Sequence, residues 1–134
     1  MKLKKSFKYQ FQVRGYELDS FGHVNNAVYI NYLEQARWEI VQKLGLLDLF
    51  KENNSFLVVV ETSIKYVKEM RIFDNAYVES SMIGRGFFID FKQDIFDEKG
   101  KKVAKAKVKC LFLDEERNPV DIPDIVIPYL NEYY

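Results

Sequence analysis

Only one long stretch of this chain, Ala27 to Leu44, carries apolar residues at three- and four-residue steps, and that single amphipathic helix constrains everything around it. Tyr29, Ile30, Leu33, Ala36, Ile40, Val41 and Leu44 form the stripe, while Asn31, Gln35, Gln42 and Lys43 gather opposite. Gly45 is a suitable C-terminal stop. The stripe must be buried against something, and the flanking sequence offers strands. Phe7 to Arg14 alternates strictly, with Phe7, Tyr9, Phe11 and Val13 on one side and Lys8, Gln10, Gln12 and Arg14 on the other.

Beyond a polar turn at Glu52 to Ser55, four more strands are expected: Phe56 to Val67, Ala76 to Ile83, Phe87 to Phe96 and Val103 to Leu113. Gly84-Arg85-Gly86 and Asp97-Glu98-Lys99-Gly100 supply turn chemistry between them, so successive antiparallel hairpins are the simplest wiring. In the last strand Ala104, Ala106, Val108, Cys110 and Phe112 share a face, with Lys105, Lys107 and Lys109 opposite. Pro119, Pro123 and Pro128 limit the tail to short helical or irregular turns. The expected class is α+β: a curved antiparallel five-stranded sheet wrapped around one long central helix, in a single domain over residues 1–134.

Composition narrows the function. Eleven Phe and nine Tyr supply a bulky core or an apolar ligand cavity. Acidic and basic side chains balance at 20 each, which removes the general attraction to phosphate backbones, so nucleic acid is not an expected partner. Cys110 stands alone and His23 is the one histidine, so neither a disulfide nor a Cys/His metal site is expected, and no cofactor is implied. The basic N-terminus lacks an apolar signal region, and the longest apolar run, Phe56 to Val60, is too short to span a bilayer. No membrane partner and a cytoplasmic location are the expectation.

Reactive side chains concentrate in the aperiodic segment GYELDSFGHVNN between the first strand and the helix: Asp19, Gly22, His23, Asn25 and Asn26. No G-x-S-x-G elbow and no glycine-rich phosphate loop occurs, and one histidine leaves little for a triad. The pattern D-x-x-G-H-V-N-N-A-x-Y-x-x-Y-x-E-x-A-R from Asp19 to Arg37, with the later Asn118-Pro119-Val120-Asp121-Ile122-Pro123, resembles the signature of hotdog-fold acyl-CoA thioesterases related to 4-hydroxybenzoyl-CoA thioesterase. It is most similar to their long-chain acyl-CoA branch and to plant acyl-lipid thioesterases.

The resemblance implies a hotdog fold, hydrolysis of an acyl-CoA, and a homo-oligomer, a dimer or a tetramer of dimers, with sites at the subunit boundary. It implies that Asp19 attacks the thioester carbonyl or activates water, and that the amide at Asn26 polarises the carbonyl. It also implies that residues 58–68, Val60 among them, reach the neighbour's substrate. Physical chemistry agrees: thioester hydrolysis needs a nucleophile or base beside the carbonyl carbon and donors for the growing oxyanion, and a helix N-terminus presents unpaired N–H groups at a positive dipole end.

Each residue also has a structural reading. Asp19 suits an Asx-turn, Asn25 and Asn26 suit helix caps, and His23 either orders the loop or contacts substrate. Gly22 and Asn25 are placed near the substrate by the same motif, while Tyr29 and Tyr32 either line an acyl pocket or sit in the core. Glu34 and Arg37 form a favourable helical pair or a pantetheine or loop contact. Trp38 is expected at a subunit interface or under a loop. The lysine row of the last strand faces either coenzyme A phosphates or solvent. Rival activities are hydrolysis of carrier-protein-bound acyl groups, a hydratase or dehydratase using His23, and a non-catalytic acyl-CoA sensor.

Overall fold

The computed structural model describes residues 5–134. Six strands and two helices follow in order: β1 (Phe7–Gln12), α1 (Asn26–Lys43), α2 (Leu46–Asn53), β2 (Phe56–Tyr66), β3 (Asn75–Arg85), β4 (Phe88–Asp97), β5 (Lys102–Leu113) and β6 (Leu130–Tyr133). The sheet order is β1-β3-β4-β5-β2, all antiparallel, with β6 running parallel to the far end of β3.

Alternation along β1 translates directly into burial: Phe7, Tyr9 and Phe11 are half-buried and the residues between them are exposed. Phe11 stacks on Tyr32 of α1, ring centroids 4.0 Å apart, and Tyr66 of β2 meets Tyr29 edge-on at 5.1 Å. Gln93 of β4 donates to the Leu33 carbonyl at 3.1 Å. α1 therefore touches both outer strands of the five-strand path and a central one. Five flat strands would span roughly 19 Å and a helix only about 10 Å, so the sheet must curve around α1 to make all three contacts. The core fills the concavity: Leu33, Ala36 and Ile40 from α1 against Val78, Met82, Ile89, Phe91, Val108 and Phe112. Fully burying each large apolar side chain there contributes about 1.5–3 kcal/mol.

Four expectations need correction. The helix is not alone, because α2 follows α1 after a glycine pivot: Gly45 has φ 74° and opens the second helix while ending the first. At eight residues α2 is too short to show a period. Its end absorbs Glu52 and Asn53, which the polar-turn reading assigned to a loop.

The sheet has a sixth strand in what should have been irregular tail. β6 has only Leu130 buried, so it carries no alternation to detect; pairing with β3 and the two-way bond between Asn131 and Lys5 (2.7 and 2.9 Å) hold it. Gly84, read as a turn residue, lies within β3. A Cβ there would sit 2.9 Å from Leu130 Cδ1 and 3.0 Å from Tyr133 Cδ1, so the glycine admits β6. The turn falls instead on Gly86 (φ 60°) and Phe87, a two-residue hairpin with glycine at its first position.

Candidate active site

Residues 17–25 fold into a small hairpin. Asn25 N–H donates to the Glu17 carbonyl at 2.9 Å, Leu18 pairs with Val24, and Asp19 N–H donates to the His23 carbonyl at 2.7 Å. Gly22, at φ 79°, makes the tip possible, and its N–H donates to the Asp19 carbonyl at 3.1 Å. With a two-residue side-chain period, Glu17, Asp19, His23 and Asn25 share one face. Asp19 Oδ1 accepts from the N–H groups of Phe21 (2.9 Å) and His23 (3.2 Å). Oδ2 has no hydrogen-bond partner among the described residues. Thus Asp19 builds the turn with one oxygen and presents the other, exposed.

The hairpin runs straight into α1. Asn25 is the N-cap: its side-chain Oδ1 accepts from Ala27 N–H at 3.0 Å and its carbonyl from Val28 N–H at 2.9 Å. The N–H of Asn26 is left without an acceptor among the described residues, at the positive end of an 18-residue helix. The two asparagines are thereby separated, Asn25 capping and Asn26 offering a free amide. Asp19 and Asn25 are diagonal neighbours across this antiparallel pair, positions that lie about 7–8 Å apart.

Contacts the sequence did not advertise hold this geometry. Glu17 Oε1 accepts from Tyr32 Oη at 2.8 Å and from Arg14 N–H at 2.7 Å. Tyr66 Oη donates to the Asn26 carbonyl at 3.0 Å, bringing β2 to the helix start. His23 Nε2 meets Glu69 Oε2 at 3.0 Å, and the backbone of His23 pairs with Arg71. Glu17, Tyr66 and Glu69 belong to no recognisable motif, and only the fold makes them neighbours of the hairpin.

Tyr29 and Tyr32 are buried, at 3% and 5% exposure. Burial pushes the Tyr29 phenol up to about 12, and burial together with the Glu17 carboxylate pushes Tyr32 higher still. Both remain neutral phenols at physiological pH. Val60 is 53% exposed at an irregularity in β2, the outer strand of the sheet path. The lysines of β5 face their neighbours in a mixed-charge grid: Lys109 lies between Glu61 and Asp90, Lys107 between Ser63 and Lys92, and Lys105 between Lys65 and Asp94. Glu34 and Arg37 do not form the expected ion pair. Arg37 turns inward and donates from Nη1 to Gln93 Oε1 at 2.8 Å, because the curved sheet covers its side of the helix.

Fold and motif together define a class, and comparison with known proteins agrees: residues 13–128 match the family model of the thioesterase-like superfamily, and the chain belongs to that family. Among relatives, it is 32% identical over 120 residues to the acyl-acyl carrier protein thioesterase ATL3 of Arabidopsis thaliana, covering 87% of this chain and 63% of that protein. It is 36% identical over 73 residues to the long-chain acyl-CoA thioesterase FadM of Escherichia coli, covering 54% and 55%. The chain thus spans somewhat under two thirds of the length of either protein. Its fold matches the crystal structure of Slr0204, a 1,4-dihydroxy-2-naphthoyl-CoA thioesterase from Synechocystis, with a TM-score of 0.84 at 17% identity over 93% of this chain and 95% of that one. The architecture is the hotdog type.

Proposed function

We propose that this chain hydrolyses a fatty acyl-CoA to free acid and coenzyme A, with Asp19 and the Asn26 amide as the reacting pair. The observation that carries the reading is that one carboxylate oxygen of Asp19 and the N–H of Asn26 have no partner among the described residues, the first in the small hairpin and the second at the helix tip it leads into. The carboxylate attacks the carbonyl carbon or takes a proton from an attacking water, and the Asn26 N–H donates a hydrogen bond to the carbonyl oxygen as negative charge grows on it. The C–S bond then breaks and the thiolate leaves. In the covalent route, water next cleaves the Asp19 anhydride. Gly22 keeps the loop tip free of a side chain where substrate enters, and Asn25 holds the helix tip in place.

An exposed edge at β2, with Val59 and Val60 half or more exposed, supports a homo-oligomer in which that strand lies beside a neighbour's site. Among the described residues no helix is long and apolar enough to cross a membrane, and the one cysteine is a buried free thiol, which suits a reducing cytoplasm. The likeness to ATL3 over most of the chain favours carrier-protein-bound acyl groups as a second substrate reading. Comparing turnover of one acyl group on coenzyme A and on acyl carrier protein separates the two.

Thiol release from a panel of acyl-CoAs tests the chemistry. Wild type is expected to hydrolyse them, and Asp19→Asn and Asp19→Ala to lose at least about a hundredfold in kcat. Asparagine still accepts the two turn N–H bonds, so Asp19→Asn should melt like wild type; near-normal turnover in that variant would remove Asp19 from the mechanism.

A further inference from the structure

The outer face of the sheet, turned away from α1, carries its charge unevenly. At one end Lys109 of β5 stands between Glu61 and Asp90 and is balanced. Farther along β5, Lys107 is directly opposite Lys92 of β4, and Lys105 is directly opposite Lys65 of β2. Lys65, Lys92, Lys105 and Lys107 are all exposed. Lys102 joins them, its Nζ 3.4 Å from Asp94 Oδ2. Asp94, opposite Lys105 on β4, is the one carboxylate in this block; it is only 7% exposed, with Lys92 Nζ 3.9 Å away. The next acid in its row, Glu79, is opposite Lys8 of β1. Among the described residues Lys65, Lys105 and Lys107 have no carboxylate within 4.0 Å.

Like charges directly opposite one another on a sheet work against the fold, and here two such pairs lie in adjacent rows. Guarding a sheet edge does not explain them, because β5 lies between β4 and β2 in the strand order. Nor does net charge, which is balanced at 20 of each sign, with Asp114, Glu115, Glu116, Asp121 and Asp124 gathered in the tail. A face kept positive at the expense of the fold suits an anionic partner, and its shape narrows the kind. Neighbouring strands lie about 4.8 Å apart and alternate residues about 7 Å, so the four exposed lysines cover roughly 10 Å by 7 Å. The sheet curves around α1, so this face is convex, whereas a phosphate-bearing small molecule is held in a concave site. Nucleic acid calls for a basic domain, which this balanced chain is not. Two copies meeting through this face would set lysine against lysine. An acidic protein surface fits.

The lysines adjoin the corner of the sheet that builds the site. Lys65 is followed by Tyr66, whose hydroxyl donates to the Asn26 carbonyl, and Glu69 then meets His23 while the Met70 carbonyl accepts from Val24 N–H. Between them, the N–H groups of Val67 and Lys68 both donate to the carbonyl of Val103, the residue after Lys102. Resting on the carrier-protein reading of this site, we propose that the lysine face of β2, β4 and β5 docks an acidic surface of the carrier protein that delivers the acyl thioester. The acyl arm then passes round the Tyr66 corner to Asp19.

Hydrolysis of one acyl group presented on acyl carrier protein and on coenzyme A provides the test, with fluorescence anisotropy of labelled acyl carrier protein as a separate binding measurement. Lys107→Glu turns the pair with Lys92 from repulsive to attractive, so the variant should melt no lower than wild type, which a lysine kept for stability would not allow. It should lower kcat/KM for the carrier-bound acyl group by about tenfold and leave the coenzyme A substrate unchanged. Lys107→Gln should lower it by about threefold and stands in if the glutamate variant misfolds. Wild-type kcat/KM on the carrier should fall as salt rises, and less steeply in Lys107→Glu. A KM for the coenzyme A substrate raised to the same extent would place its phosphates on the lysines and overturn the proposal. If only the coenzyme A substrate is cleaved the carrier reading fails, and if neither is cleaved the thioesterase reading fails. In both cases the face is judged by anisotropy, where carrier binding weakened about tenfold in Lys107→Glu still supports it. Carrier binding that is absent from wild type, unchanged in both variants, or matched by duplex DNA overturns it.

Discussion

The hydroxyl of Tyr32 donates to Glu17 Oε1 at 2.8 Å, fastening the hairpin that carries Asp19 to the second turn of α1. The same oxygen accepts from Arg14 N–H, so one carboxylate closes the base of the loop. Tyr32→Phe removes the phenol but leaves the second bond. The expected loss is about 1.5 kcal/mol, the lower end for a hydrogen bond to a charged group, read as a lowered urea midpoint at unchanged slope. Because the loop sets the distance between Asp19 and the helix tip, kcat should fall by about tenfold. Unchanged kcat at reduced stability would show that the tether serves the fold alone.

Asp97 supplies a pH prediction. Its Oδ2 meets Lys68 Nζ at 2.6 Å and its Oδ1 accepts from Lys99 and Lys101 N–H at 2.9 Å each. Led by Lys68, these bonds lower the carboxyl from 3.8 to about 2. A depressed folded-state pKa means the ionised form favours the fold: the contribution is complete above the unfolded value and is lost as pH falls through the folded one. The urea midpoint should therefore drop between about pH 4 and pH 2, and an NMR titration should place the Asp97 midpoint near 2. Lys68→Met should move that midpoint upward. A wild-type midpoint at the ordinary carboxylate value would contradict the ion pair.

Oligomer formation through β2 predicts that wild type sediments as a dimer or larger at micromolar concentration. Val60→Lys places a charge on an edge that is 53% exposed in the single chain and should shift it to monomer, with a melting temperature that no longer rises with protein concentration. Sedimentation velocity of both forms decides, and an unaltered assembly would exclude this part of β2 from the contact.

Much of the architecture could be read locally. The alternation of Phe7 to Arg14 and the stripe of Tyr29 to Leu44 became β1 and α1, with bounds shifted by a residue or two. Of the two candidate caps, Asn25 and Asn26, it is Asn25 whose side chain caps α1. α2 and β6 escaped notice because two turns of helix or four residues of strand are too short for a period to emerge. Helical spacing pairs Arg37 with Glu34, whereas its burial against Gln93 is a property of sheet curvature, which no helical spacing records.

The division follows the range of the forces involved. Periodicity, capping and the backbone freedom of glycine act within a few residues, so the chain alone dictated its long helix, its main strands and the loop that holds Asp19 and Asn26. Residues far apart in sequence had to be brought together before Glu17 could anchor Tyr32, Glu69 could hold His23, or Arg37 could reach Gln93. Those relationships arise from a sheet curving around a helix, and only the folded chain possesses them.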